Sequence, residues 1–313
     1  LTKRIIYDIG ANNGDDIPYY LLKSDRVVAV EANPVLAQSI NARFVDEVKA
    51  GRLAVENCVI TSEGDCGPID FYIHKSNHVL SQLPPPKPSE AERFEKTVLM
   101  SKSIADLLKD HGNPYYVKID IEHYDALLLK ALFKAGVVPP FISAESHSIE
   151  IFSLLVSEGH YNAFKLVAGA TVAQDYADRN IISYGDGSLV RYSFPFHSAG
   201  PFGEDVEGDW MDADVFLKVL AFEGLGWKDI HATHVQDPNS AKFQGFSNYM
   251  LQFFQRKIKR KLSRILPRRH LFRGCDARRS VVAHGKGDGL ALRARLDRNA
   301  VPCAKLESIL KPS

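Results

Sequence analysis

The chain has 313 residues, 45% of them apolar and 25% charged, with a formal net charge of +1. That balance suits a soluble folded chain with a substantial core and excludes a disordered or fibrous one. No apolar run approaches the roughly eighteen residues of a membrane span, no signal peptide is visible, and Cys58, Cys66, Cys275 and Cys303 lack the C-x-x-C spacing of a zinc site or disulfide framework.

The chain opens at Leu1, and a buried strand begins almost at once in Ile5-Ile6-Tyr7-Asp8-Ile9. It runs into the glycine turn Gly10-Ala11-Asn12-Asn13-Gly14. A second strand, Val27-Val28-Ala29-Val30, ends on Glu31-Ala32-Asn33-Pro34, and 34–48 reads as a helix. Residues 53–60 read as a third strand, 64–67 as a turn and 69–73 as part of a hairpin excursion. The proline run at 84–88 must be a surface loop. Ser103 is placed to cap a short helix to 109. Residues 115–120 form a fourth strand, 125–135 a helix, 141–145 a fifth strand and 149–159 a helix. Segments 164–167 and 189–194 can supply a terminal antiparallel pair. This βαβ alternation predicts an α/β fold with a doubly wound, mostly parallel sheet over 1–194.

In such sheets ligands bind beyond the carboxyl ends of the strands. The tips here carry Asp8, Gly10, Glu31, Asn57, Asp120, Glu122, His123, Glu145 and His147. Gly10 and Gly14 permit close backbone approaches, and Glu31 can accept both hydroxyls of a ribose. A dinucleotide site would want G-x-G-x-x-G for its pyrophosphate. Here Asn12 replaces the second glycine, and Asp8, Asp15 and Asp16 make the turn acidic. Carboxylates repel a pyrophosphate and attract a cofactor bearing an ammonium and a sulfonium. The expected cofactor is therefore S-adenosyl-L-methionine.

The Asp8-Ile-Gly-Ala-Asn-Asn-Gly14 turn, the Val30-Glu31-Ala-Asn-Pro34 tip, the Lys118-Ile-Asp120-Ile-Glu122 segment and the Glu145 strand end together resemble the FkbM family of methyltransferases. The resemblance runs from about residue 5 to residue 164. It implies a class I, Rossmann-like fold and S-adenosylmethionine-dependent methylation, mostly of hydroxyl oxygens on sugars, polyketides and related small molecules. It also implies that Asp8, Gly10 and Gly14 line the methionine end, Glu31 the ribose, and Asn57 and Cys58 the adenine side. With Asn12 and Asn33 these complete the expected cofactor set. Asp120 and Glu122 are implied near the reactive centre, and His123, Glu145 and His147 complete the catalytic set. The family usually has glycine where this chain has His123, which marks that residue as a substrate-specific base or a change of pocket shape.

Methyl transfer to an alcohol needs an in-line acceptor and a group to take its proton. Either histidine, or a carboxylate, could serve. A divalent metal held by Asp120, Glu122 and His147 is a rival way to acidify the hydroxyl, but the spacing is not tight and no metal is assigned. His231-Ala-Thr-His234 reads as a loop pair without a third ligand.

Residues 195–245, with Trp210, Trp227 and several glycines, read as a lid or acceptor subdomain containing a helix at 212–222. The remainder, 246–313, holds 17 Lys+Arg against 4 Asp+Glu, leaving 22 against 34 in the first 245 residues. Phe246, Met250, Phe254, Ile258, Leu262 and Leu266 recur at four-residue steps among basic residues and predict an amphipathic helix ending before Pro267. Such a helix at 246–273 can lie on an anionic membrane surface, grip a partner protein or dock on the acidic body. From His270 on, periodicity is lost and disorder is expected. The acceptor is expected to be a small molecule or glycan and not nucleic acid, because the body is acidic. A nucleic-acid methyltransferase using the basic tail, and a non-catalytic cofactor-binding scaffold, are the alternatives. The expected location is cytoplasmic, with peripheral attachment to the inner membrane face as the option the helix opens.

Overall fold

The structure, a computed structural model, describes residues 3–62, 66–235 and 243–265. The expected turn at 64–67 falls partly outside those residues. Leu266, Cys275, Cys303 and the tail expected to be disordered fall wholly outside them.

In chain order the strands are β1 (Ile5–Ile9), β2 (Arg26–Val30), β3 (Leu53–Glu56), β4 (Val59–Thr61), β5 (Pro68–His74), β6 (Phe94–Ser103), β7 (Tyr116–Ile119), β8 (Phe141–Ser146), β9 (Ala163–Ala168), β10 (Arg179–Ile182), β11 (Leu189–Tyr192) and β12 (Gly226–Thr233). The helices are α1 (Ile17–Lys23), α2 (Pro34–Arg43), α3 (Val45–Lys49), α4 (Ile104–His111), α5 (Asp125–Lys134), α6 (Ile149–Ser157), α7 (Val172–Asp175), α8 (Ala213–Glu223) and α9 (Phe246–Ile265).

Seven strands form the central sheet in the order β3-β2-β1-β7-β8-β12-β9. The first five of these are parallel, and β12 runs antiparallel to both neighbours. The inner strands are near-continuous apolar runs because both faces are covered. Tyr7, Ile9, Val28, Val117 and Ile119 belong to one buried cluster with Leu107 of α4, Leu128 and Leu132 of α5, Leu155 of α6 and Phe216 of α8. Ile6, Val27, Ala29 and Tyr116 belong to a second, with Ile17 and Tyr20 of α1, Ile40 of α2, Phe194 and Phe202. Each such side chain contributes roughly 1.5–3 kcal/mol when fully buried. The doubly wound expectation is met. From β1 the chain winds outward to β2 and β3, then crosses back to β7 and β8. That reversal opens a crevice at the carboxyl ends of β1 and β7.

Local signals hold at the helix starts. Asn33 caps α2 by accepting from the Val35 amide at 3.0 Å, with Pro34 following, and Ser103 caps α4 through the Asp106 amide at 3.1 Å. Elsewhere the structure differs from expectation. The helix over 34–48 breaks at Phe44, and the strand over 53–60 divides into β3 and β4, which join different sheets. The expected antiparallel pairing of 164–167 with 189–194 is replaced. β9 pairs with β12, while β10 and β11 pair with each other. The reason is burial: Ile182 and Leu189 are exposed, whereas Ile230 and Ala232 of β12 are buried. His231 is therefore a buried strand residue and not half of a loop pair. Its burial presses its pKa down to about 3, which keeps it neutral.

Within residues 195–245, β12 is a strand of the central sheet, and the chain up to Ile258 forms one compact unit. Phe202 stacks on Tyr116 with ring centroids 4.0 Å apart, and Tyr19 donates to Asp205 at 2.7 Å. The first part of α9, up to Ile258, packs within the same compact unit. Tyr249 donates to Glu223 at 2.6 Å, and Phe253 meets Phe222 edge-on at 5.2 Å. Leu251, Phe254 and Ile258 remain exposed. No described helix is long and apolar enough to cross a membrane.

Candidate active site

A cavity of about 550 Å³ opens at the strand tips, within the usual range of small-molecule sites. Gly10, Asn12, Glu31 and Cys58 line one side. Asp120, Glu122, Glu145 and His147 line the centre. Val79, Leu80 and Leu83, in the loop between β5 and β6, form one outer wall, and Phe196, His197 and Trp227 form another.

The turn after β1 is shaped by internal bonds. Gly10 has φ +86°, and a Cβ there would lie 1.8 Å from the Asp120 carbonyl oxygen, so only glycine fits. Asn12 adopts φ +50°, which asparagine tolerates. Its amide donates to Glu31 Oε2 at 2.7 Å, while the Asn33 amide donates to Glu31 Oε1 at 2.8 Å. The amide facing a would-be pyrophosphate is thus already committed to a carboxylate. Burial raises the Glu31 pKa to about 7 despite both bonds.

Beneath the turn Lys118 is buried. Its Nζ donates to the Gly10 carbonyl at 2.9 Å and lies 3.4 Å from both Asp8 and Asp120. Asp8 is fully buried with neither carboxylate oxygen hydrogen-bonded, and burial raises its pKa. Asp16 accepts from the Ser198 hydroxyl and, at 3.0 Å, from the Ala199 amide. Burial pushes its pKa up to about 7. These bonds tie the 195–202 loop to the first turn, which is why Phe196 and His197 reach the cavity.

At the centre His147 Nε2 lies 2.8 Å from Glu145 Oε2 and 3.7 Å from Glu122 Oε2. The shorter contact is misaligned, so Nε2 is buried in an ion pair without a hydrogen bond. The Glu145 carboxylate raises the His147 pKa to about 9, and burial raises that of Glu122 to about 7. Glu122 and His123 have φ +41° and +67°, a left-handed pair that costs non-glycine residues roughly 1–2 kcal/mol each. The glycine that the family resemblance places at 123 would relieve half of this. His123 is exposed, with its ring 5.5 Å from that of His147.

The structure brings Gly10, Asn12, Glu31, Cys58, Asp120, Glu122, Glu145 and His147 to one cavity. Asp8, Gly14, Asn33, Asn57 and His123 are not on its surface. Gly14 packs against Ile17 and Ile40, Asn33 caps α2, and Asn57 clasps the carbonyls of Glu31 and Ala32 at 2.8 and 3.0 Å. Sequence reasoning gave no role to Lys118, although a lysine inside the apolar run Tyr-Val-Lys-Ile was a visible signal. It also missed the 79–83 wall and Asp229 of β12, which no local pattern marks.

Residues 8–153 match the methyltransferase FkbM domain family, so the resemblance read from the motifs is borne out there and supports a methyltransferase. No curated protein matches the chain. Among solved structures, the methyltransferase FkbM from Methylobacillus flagellatus KT is 18% identical with a TM-score of 0.37, covering 53% of this chain and 40% of its own. The chain therefore matches less than half the length of that relative. Spermidine synthase from Thermotoga maritima is 10% identical with a TM-score of 0.31, covering 82% of this chain and 68% of its own. A spermidine synthase in complex with the transition-state analogue AdoDATO gives the same identity and score, with 84% and 70% covered. At these scores the structural likenesses carry no functional weight.

Proposed function

We propose that this chain is an S-adenosylmethionine-dependent O-methyltransferase acting on a hydroxyl of a small molecule or glycan. The observation that supports the cofactor is the charge of the pocket. Glu31, Asp120, Glu122 and Glu145 line it, and a cation beside them favours the ionised form of Glu31 and Glu122, whose pKa burial holds near 7. Lys118 and His147 offset part of this charge. A cationic ligand 4 Å from one such carboxylate gains roughly 4 kcal/mol at an effective dielectric of 20. A pyrophosphate would lose by the same charge, and the Asn12 amide it would need is already engaged.

The cofactor, when bound, supplies a methyl group on an electrophilic sulfur. The chain's own residues orient and deprotonate. Glu31 has a lone pair left on each oxygen for the ribose hydroxyls after accepting from Asn12 and Asn33. Lys118 fixes Gly10 and Asp120 relative to each other. Glu122, with a pKa of about 7, is matched to take the acceptor's proton near neutral pH. Between Val79 and Leu80 on one side and Phe196 and Trp227 on the other, the outer walls suit an acceptor with an apolar or ring-bearing face.

The test is incubation of the full chain with methyl-labelled S-adenosylmethionine and fractionated cell material, beside calorimetry with the cofactor and with NAD. Base-stable label in a glycan or small-molecule fraction is expected. Label in nucleic acid, or preferential binding of NAD, would overturn the proposal.

A further inference from the structure

The centre of the cavity is built unlike its rim. Glu122, Glu145 and His147 each point one donor atom at a common volume, and these atoms lie within 4.8 Å of one another. Ligands at about 2.1 Å from one cation stand roughly 3 Å apart when adjacent and 4.2 Å apart when opposite. The His147 separations of 2.8 Å from Glu145 and 3.7 Å from Glu122 fall close to that range. A proton shared between an imidazole and a carboxylate would align along their axis. Here it does not, and Nε2 faces the gap between two carboxylates without a hydrogen bond.

A second, independent feature lies behind the cluster. Asp229 is only 4% exposed, and its Oδ1 has no hydrogen-bond donor. It stands directly opposite Glu145 in the β8–β12 pair, so both side chains leave the same face of the sheet. Its Oδ1 is thus a buried acceptor left open beside Glu145.

From this geometry we infer that Glu122, Glu145 and His147 form a binding site for one divalent cation, with Asp229 supporting Glu145 from behind. Two carboxylates and one imidazole favour a first-row ion of the manganese type over calcium or a thiolate-seeking metal. The binding claim stands on these residues alone. Its consequence rests on the methyl-transfer reading above. There, the acceptor oxygen completes the coordination and its hydroxyl pKa falls. The proton leaves to a carboxylate oxygen not engaged by the ion. The oxygen–carbon bond forms as the carbon–sulfur bond breaks, and a neutral thioether is released.

The test is titration of the chelator-treated full chain with Mn²⁺, reading free ion by electron paramagnetic resonance, with neither cofactor nor acceptor present. One ion per chain is expected. Glu145→Gln and Glu122→Gln should each weaken binding by about 10–100-fold or more, the range that outer-shell substitutions alone produce. Their melting temperatures, and binding of S-adenosylmethionine by calorimetry, separate loss of the site from loss of the fold. If a variant unfolds, His147→Gln takes its place. No binding up to millimolar Mn²⁺, or binding that none of these variants changes, would overturn the inference. Cofactor binding without Mn²⁺ binding would sink this site and leave the methyltransferase reading standing. Mn²⁺ binding without cofactor binding would do the reverse.

Discussion

The two halves of the cavity treat their polar groups in opposite ways. At the β1–β2 side the groups that shape the turn and the Glu31 tip are satisfied within the protein, with Asp8 beneath them the exception. Glu31 holds two amides, Asn57 holds two carbonyls, Asn33 caps a helix and Lys118 holds the Gly10 carbonyl. At the β7–β8 side Glu122, Glu145 and His147 crowd together with His147 Nε2 lacking an aligned hydrogen bond, and Glu122 sits on a left-handed backbone. The contrast separates two tasks. A satisfied network is rigid and fixes the shape of a binding site before the ligand arrives. An unsatisfied cluster keeps its bonding capacity for something that is not protein.

The most severe way to break this division is Gly10→Ala, because Gly10 joins the two halves. Its new Cβ would collide with the Asp120 carbonyl at a positive φ. A cost of about 3 kcal/mol is expected, with a fall of several degrees in the melting temperature and loss of cofactor affinity. A normal melting curve and unchanged affinity would mean that the turn is not rigid.

A smaller effect sharpens the contrast. Glu31→Gln should weaken S-adenosylmethionine binding by about 1.5–3 kcal/mol, or roughly 10–150-fold, by removing the charge from its hydrogen bonds. Because Glu31 also braces two amides, a modest drop in stability should accompany it. Calorimetry and thermal melting on the same samples check both. Unchanged affinity would remove Glu31 from the cofactor site.

A third effect is a pH dependence. Burial raises the pKa of Asp16 and Glu31 to about 7 in the folded chain, against about 4 in the unfolded one. Between about pH 4 and pH 7 the folded state holds protons that the unfolded state has released. Their contribution to stability therefore falls as pH rises through that window and levels off above it. Asp16→Asn should flatten part of this slope in melting curves taken from pH 5 to pH 8. A wild-type and variant difference that is constant with pH would show that Asp16 is ionised throughout.

The sequence alone determined the parallel core. The runs Ile-Ile-Tyr-Asp-Ile and Val-Val-Ala-Val, the Asn33-Pro34 and Ser103 caps and the glycine turn are short-range signals, and each acts over a few residues of chain. It also placed acids at strand tips, and so named the four carboxylates that line the cavity, Glu31, Asp120, Glu122 and Glu145. Where 195–245 belongs was not legible. β12 begins Gly-Trp-Lys-Asp, which reads as loop, and becomes a strand only because β8 and β9 offer it edges on both sides. For the same reason Asp229 and the buried His231 carried no local mark. Tertiary structure alone decided which polar groups are satisfied and which are not. Glu31 and Glu122 are the same residue type at the same kind of position. One is closed by backbone amides and the other faces a histidine and a second carboxylate, because hydrogen bonding depends on which strand tips the fold brings together.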